Sequence, residues 1–269
     1  MDNKRRCTAI LLAAGSGSRM KSDVAKQFML LKGRPLIWYS LNAIEKSKII
    51  DDCIVVAAPD QMEYMRNEII KKYKFKKVDA VVAGGNERYE SVAHALGVIS
   101  SPRRKVPNEN GFVFIHDAAR PFLTEELLQR LYDETYQYGA CVAAVPSKDT
   151  VKLSDERGYV SQTPDRRRVW NVQTPQVFRV RLISEAFETM GNHIERLREQ
   201  KIPITDDASV MELFSNTKVK LVMGSYKNIK ITTPEDIGIA EKMLEMSKSK
   251  TEIPVMTKRD TEPSENSVL

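Results

Sequence analysis

Ala9-Ile-Leu-Leu-Ala-Ala-Gly-Ser-Gly-Ser-Arg-Met-Lys-Ser-Asp-Val-Ala-Lys-Gln27 is the stretch whose reading decides the fold. The apolar run Ala9 to Ala14 reads as a short buried strand. It empties into a Gly-Ser-Gly-Ser turn whose backbone N–H groups can surround an anion. Two fixed cations follow, Arg19 and Lys26. Bare amides, a guanidinium and an ammonium are what it takes to hold a nucleoside triphosphate and neutralise its leaving group. No Gly-x4-Gly-Lys-Ser/Thr string follows Gly15 or Gly17, so this is not a Walker loop. The dinucleotide fingerprint also fails, because Met20 stands where a third small residue is required.

Outward from this loop, short apolar runs alternate with amphipathic stretches. Strands are expected at 8–13, 53–58, 78–83, 111–116 and 140–145. Helices are expected over 35–44, over 61–73 and around Val92, Leu96 and Ile99. A further helix should be capped by Thr124, with Glu125 and Glu126 in its first turn. Such alternation implies an α/β fold, a mostly parallel sheet between helices, with ligands at the carboxyl ends of the strands. The rhythm breaks at 146–170, where Asp149 to Leu153 and Tyr159 to Ser161 flank a turn at Asp155 to Gly158. That pattern reads as a protruding hairpin, and a hairpin that cannot bury its faces alone suits pairing with a second subunit. A helix near 180–190, strands near 218–223 and 229–232, and a last helix opened by Thr233-Pro234-Glu235-Asp236 complete one domain over 1–246. Residues 247–269 lack periodicity and balance four basic against four acidic side chains; they read as a disordered tail.

The composition, 42% hydrophobic and 29% charged with a net charge of +6, is that of an ordinary globular chain. No basic-aromatic stripe points to nucleic acid, and no apolar run is long enough to span a bilayer. Cys7, Cys53 and Cys141 are scattered through apolar runs, which predicts buried free thiols in a reducing, cytoplasmic setting.

Three further strings bear on chemistry. His116-Asp-Ala-Ala-Arg-Pro121 ends an expected strand, a good place for Asp117 to hold a divalent ion against phosphates, with Arg120 facing a second phosphate-bearing substrate. Gly84-Gly85-Asn-Glu-Arg88, with Ser91 beyond it, permits close backbone approach to a pyrimidine edge. Thr150, Arg166, Thr174 and Lys230, taken singly, read as ordinary surface residues.

Taken together in order, these strings resemble one family. Leu11 to Met20, Ala25-Lys-Gln27, Gly84 to Arg88, His116 to Pro121, Asp149-Thr150, Gln173-Thr-Pro-Gln176, Thr205-Asp-Asp-Ala-Ser209 and Asn228-Ile-Lys230 are similar to the 2-C-methyl-D-erythritol 4-phosphate cytidylyltransferases of the non-mevalonate isoprenoid pathway. The resemblance runs from about Thr8 to Met246. It implies a homodimeric Rossmann-like nucleotidyltransferase whose β-arm, residues 146–170, reaches across to the partner, with Mg²⁺ as cofactor. It further implies that Arg19, Lys26 and Lys230 contact the triphosphate and the transferred phosphate. Ala13, Ala14, Gly15, Gly84, Gly85, Ser91 and Asp117 would bind the nucleotide, and Asp117 also the metal. Arg120, Thr150, Arg166 and Thr174 would hold the sugar-alcohol phosphate, Thr150 and Arg166 coming from the partner's arm. The chain departs from the family at Ala25, where proline is usual; without that fixed φ the loop should be looser before substrate binds.

The chemistry implied is in-line attack of a phosphate oxygen on the α-phosphorus of CTP, expelling pyrophosphate. Two rivals remain at this point: the same transfer to ribitol 5-phosphate, and a dinucleotide-dependent oxidoreductase in which Asp60 would be the ribose acid.

Overall fold

The computed structural model describes residues 4–15, 24–102, 104, 106 and 108–249. Strand β1 (Cys7–Ala13) is an interior strand of a seven-stranded sheet. It is followed by the tiny hairpin β2 (Leu30–Leu31) and β3 (Arg34–Pro35), helix α1 (Leu36–Lys46) and β4 (Asp52–Ala57). Helix α2 (Met62–Tyr64) passes directly into a π-helical stretch, Met65–Lys71. Then come β5 (Val78–Ala83), α3 (Arg88–Ile99), β6 (Phe112–Asp117), α4 (Glu125–Tyr138) and β7 (Ala140–Pro146). The short β8 (Leu153–Ser154) and β9 (Val160–Gln162) form the arm, and β10 (Trp170–Arg179) returns to the sheet. Helices α5 (Val180–Gly191), α6 (Ile194–Glu199) and α7 (Asp207–Phe214), strand β11 (Lys220–Met223) and α8 (Pro234–Ser249) finish the chain.

The order across the sheet is β11-β7-β10-β6-β1-β4-β5, with every pairing parallel except those of β10. The chain moves outward from β1 through β4 to β5, then crosses back to place β6 on the other side of β1. That reversal is a topological switch point, and it opens a crevice at the carboxyl ends of β1 and β6. Side-chain alternation divides the core. Cys7, Ala9, Leu11 and Ala13 pack with α1, the 62–71 helix and α4 on one face. Ile10, Ile54, Val113 and Ile115 pack with α3, α5 and α7 on the other. A third small cluster, with Leu31, Leu36, Ala119, Ile231 and Ala240, seats α8 beside the crevice.

Helix α4 begins as expected, with Leu127 N–H donating to Thr124 Oγ1 at 3.3 Å, and it ends on Gly139 at φ 83°. Three expectations need correction. The 61–73 segment buries Met65 and Ile69 on the anticipated side but winds as π-helix over most of its length. No strand forms at 229–232; Ile231 is buried and donates one backbone bond to the Ala119 carbonyl, 2.9 Å, so the segment docks on the His116–Pro121 turn rather than on a ladder. Strand β10 falls where no strand is expected, because Gln173, Thr174, Pro175 and Gln176 look like loop. A register shift between Val172 and Gln176 accommodates the proline, and specific partners satisfy the buried polar side chains. Helix α8 runs to Ser249, three residues into the expected tail; 250–269 lie outside the described residues. The three cysteines are free and buried, and burial pushes the Cys7 and Cys141 thiols up to about 12.

At the amino ends of the strands, far from the crevice, Arg104 is buried. It bonds Asp52, Asp79 (2.8 Å) and the Thr8 hydroxyl (3.4 Å), while Arg6 also bonds Asp52. Removing the guanidinium strands the buried Asp52 carboxylate with a single partner. Arg104→Met is therefore expected to lose about 3–5 kcal/mol of stability in urea unfolding. Turnover per folded molecule should stay unchanged, since no crevice residue is touched.

Candidate active site

The crevice has a volume of about 390 Å³. Strand β1 delivers Ala13, Ala14 and Gly15 to one wall, and Asp117 ends β6 on the floor. Gly85, Arg88 and Ser91 form the opposite wall; Lys26 and Lys230 close the rim. Eight of the nucleotide and cation positions expected from sequence, Ala13, Ala14, Gly15, Lys26, Gly85, Ser91, Asp117 and Lys230, thus come together from five chain segments. Arg19, with the rest of 16–23, lies outside the described residues.

Gly84 sits directly behind this wall. Its N–H donates to the Ala57 carbonyl at 2.8 Å, and a Cβ built on it would stand 2.4 Å from the Ala14 Cβ. No larger residue fits without moving β1. Ser91 Oγ accepts from Gly85 N–H (3.1 Å), and Glu87 and Glu90 form a capping box that starts α3 and fixes the turn.

Lys26 stands on a single 3₁₀ turn, Lys26–Phe28. Gln27, 3% exposed, donates to Gln61 Oε1 at 2.8 Å, and Phe28 meets Tyr64 edge-on with ring centroids 4.7 Å apart. Ala25 adopts φ −56°, the value a proline would impose. The backbone at this position therefore has the family's shape, and side-chain docking on the 59–64 segment holds it. Asp60 is exposed on the first turn of that segment and does not line the crevice.

Charge is concentrated on Asp117. Lys230 Nζ lies 2.8 Å from Oδ2, Arg120 Nε 3.8 Å from Oδ2, and Arg88 Nε 3.9 Å from Oδ1. Burial alone would raise the Asp117 pKa; Lys230, Arg88 and Arg120 outweigh it and hold the carboxyl down at about 2. Arg88 is itself gripped by a two-pronged bond to the buried Asp207, 2.8 and 2.7 Å. Burial would weaken its charge, yet Asp207 holds the guanidinium above its ordinary value. Neither residue shows this role in the sequence, because an Arg and an Asp 119 positions apart carry no pairing signal in one chain.

Arg120 adjoins the crevice through Asp117, and its NH1 donates to the Asn228 carbonyl at 2.7 Å. Its Nε is buried without a hydrogen-bond partner, a deficit worth about 1–3 kcal/mol that an anionic ligand would remove. Thr174 is 5% exposed, below Asp117, with its hydroxyl bonded to the Asp117 N–H and to His116 Nδ1, each at 3.0 Å. Thr150 and Arg166 are exposed on the arm, where Arg166 bonds the Lys148 carbonyl at 3.3 Å. Within one chain they do not line the crevice.

Among the described residues no three metal-type side chains cluster. Asp117 is a hard carboxylate on the floor beside Lys230, Arg88 and Arg120, and Glu87 also lines the crevice. This suits Mg²⁺, which binds through one or two carboxylates plus phosphate oxygens rather than in an all-protein cage.

His116 is buried, and burial lowers its pKa to about 4 from the ordinary 6.5. As pH falls below 6.5 the unfolded chain takes up this proton while the folded protein refuses it until about pH 4. Stability should therefore drop by roughly 3 kcal/mol across that window. Urea unfolding between pH 7 and 4 checks this: His116→Asn should show a shallower loss than the parent chain.

Comparison with known proteins fits this geometry. Residues 7–246 match the family model described as "IspD: 2-C-methyl-D-erythritol 4-phosphate cytidylyltransferase". A curated relative of that name from Lachnospira eligens is 46% identical over 235 residues, 87% of this chain and 96% of the relative. Another, from Lachnoclostridium phytofermentans, is 44% identical over 89% of this chain and 96% of its own length. The solved 4-diphosphocytidyl-2C-methyl-D-erythritol synthase from Anaerococcus prevotii superposes with a TM-score of 0.72 at 33% identity, covering 90% of this chain and all (100%) of its own.

Proposed function

The chain belongs to the 2-C-methyl-D-erythritol 4-phosphate cytidylyltransferase family, and from that premise we propose how its crevice works and which groups complete it. The activity is transfer of the cytidylyl group of CTP to 2-C-methyl-D-erythritol 4-phosphate, giving 4-diphosphocytidyl-2-C-methyl-D-erythritol and pyrophosphate, in isoprenoid precursor biosynthesis. Neither ribitol 5-phosphate as acceptor nor a nicotinamide dinucleotide is favoured, because the relatives are named for the methylerythritol acceptor.

The observation that carries the mechanism is the ring of cations around Asp117. Two anions must approach to bonding distance, and their mutual repulsion is the main barrier. The cytosine end of CTP fits the wall of Ala13, Ala14, Gly85 and Ser91, with Gly84 behind it leaving no room for a side chain. Its phosphates then pass between Lys26 and Lys230; Arg19, which the family resemblance gives the same task, lies outside the described residues. The acceptor phosphate is already anionic near neutral pH, so no general base is needed. Arg120, whose Nε lacks a partner, draws it in beside Asp117. An oxygen of that phosphate attacks the α-phosphorus in line, and the bond to pyrophosphate breaks as lysine charge balances the leaving group. Asp117 would hold Mg²⁺ together with the triphosphate oxygens. When bound, the ion supplies further neutralisation of the charge that builds on the phosphates.

Thr150 and Arg166 reach an acceptor only if another copy provides them. The arm exposes Leu153, Tyr159 and Val160, at 46%, 72% and 61%, an apolar surface that a partner would cover. We assign the protein to a homodimer on this basis, and to the cytoplasm. No described helix is long and apolar enough to cross a membrane.

Pyrophosphate release from CTP, 2-C-methyl-D-erythritol 4-phosphate and Mg²⁺ tests the site. Lys26→Ala and Lys230→Ala should each lose about 10²–10³ in turnover, ribitol 5-phosphate should react far more slowly, and omission of Mg²⁺ should abolish the signal. Normal turnover in Lys26→Ala would overturn the assignment. Sedimentation should give twice the chain mass, and Tyr159→Asp with Val160→Asp should give a monomer with little activity.

A further inference from the structure

Four chain segments meet under the crevice floor in a closed circuit of hydrogen bonds, and His116 is the side chain that closes it. Its Nε2 lies 3.1 Å from the Arg120 carbonyl oxygen, which can only accept, so Nε2 carries the proton. Its Nδ1 lies 3.0 Å from Thr174 Oγ1. The Thr174 oxygen already accepts from the Asp117 N–H at 3.0 Å. In a neutral ring Nδ1 has a bare lone pair, so the Thr174 O–H donates to it. From Thr174 the path continues through its carbonyl, which accepts from Asn228 Nδ2 at 2.8 Å. Asn228 in turn accepts on its carbonyl from Arg120 NH1 at 2.7 Å, which returns to the residue whose carbonyl His116 holds.

The circuit ties the end of β6, the turn after it, the middle of β10 and the 228–231 segment into one unit. Each of these carries a residue of the proposed site: Asp117, Arg120, Thr174 and Lys230. We propose that His116 is a positioning residue for cytidylyl transfer, a two-armed strut whose Nδ1 arm fixes the Thr174 hydroxyl and, through it, the Asp117 main chain. This rests on the functional reading above. His116 is 1% exposed and does not line the crevice, so it acts through its neighbours. A second consequence is chemical. With its proton committed to His116 and one lone pair to Asp117, Thr174 retains only acceptor capacity, and suits a substrate hydroxyl better than a phosphate oxygen.

The two arms can be separated by substitution. Asparagine places an amide oxygen near the position of Nδ1, keeping the Thr174 bond and losing the Arg120 bond. Glutamine reaches towards the Arg120 carbonyl and vacates Thr174. Phenylalanine keeps the ring volume and loses both. Turnover is measured per active site, with sites counted by CTP titration and folding checked by urea unfolding, so that an unfolded fraction does not register as lost chemistry. His116→Phe and His116→Gln are expected to lose about 10²-fold per titrated site, the cost of misplacing reacting groups by about 1 Å; His116→Asn should stay within about tenfold of the parent. Parental turnover per site in the Phe and Gln variants, or an Asn variant as slow as Phe, overturns the proposal. Lys26→Ala run alongside separates the two readings. If it too retains full turnover, the assignment of the crevice fails; if it alone is slow, only the role of His116 fails.

Discussion

A buried carboxylate held among three cations is the constraint on which the site depends. Asp117 ends the strand beside the switch point, and Arg88, Arg120 and Lys230 reach it from α3, from the turn after β6 and from the segment before α8 respectively. Desolvating so much like charge in a crevice is unfavourable unless a counter-charge sits at its centre. Asp117 supplies that counter-charge in the free protein, and a triphosphate supplies more when it enters. One arrangement thus serves two states. The carboxylate offsets the repulsion among Lys230, Arg88 and Arg120 before anything binds.

The sheet makes this arrangement possible. Parallel strands bring the ends of β1, β5 and β6 to a single edge, and the reversal of strand order leaves room there for a ligand. The one antiparallel strand, β10, does different work. It runs down from that edge, so polar residues in its middle lie beneath the floor, and Gln173, Thr174 and Gln176 each reach a different supporting loop. Gln173 Nε2 holds the Ser225 carbonyl at 2.8 Å, and Gln176 ties Asp206 and the Ala208 N–H at the start of α7. The loops bearing Asp207 and Lys230 are thereby set by the same strand.

Sequence made the parallel core legible because buried strands are written as apolar runs and the helices as a regular stripe; β5 has its expected bounds. Those signals are local. The glycine loop, the Gly84–Gly85 turn and Asp117 could be read because each occupies a strand end, where ligand chemistry concentrates. What escaped is polar and non-local. Strand β10 hides behind glutamines and a proline because its burial is bought with side-chain hydrogen bonds rather than apolar surface. The Arg88–Asp207 pair and the His116 circuit join positions up to 119 residues apart, and no periodicity in one chain reports such a pairing. The expected strand at 229–232 failed for the converse reason: Ile231 is buried, but against a turn and not between strands.

Position 25 shows how a departure from a family pattern can leave the site intact. Proline fixes φ before folding and lowers the entropy lost when the segment orders. Alanine keeps the same φ in the folded state but forgoes that restriction, so the folded geometry has to be enforced by contacts. Gln27 with Gln61 and Phe28 with Tyr64 are those contacts, both made to the one segment that follows β4. The Lys26 ammonium is thereby located by the rigid sheet through two side-chain pairs. The 3₁₀ turn that carries it is three residues long and has no side-chain cap of its own. For a side chain proposed to meet a leaving group, placement matters more than local helix stability, and docking on the body of the fold provides it.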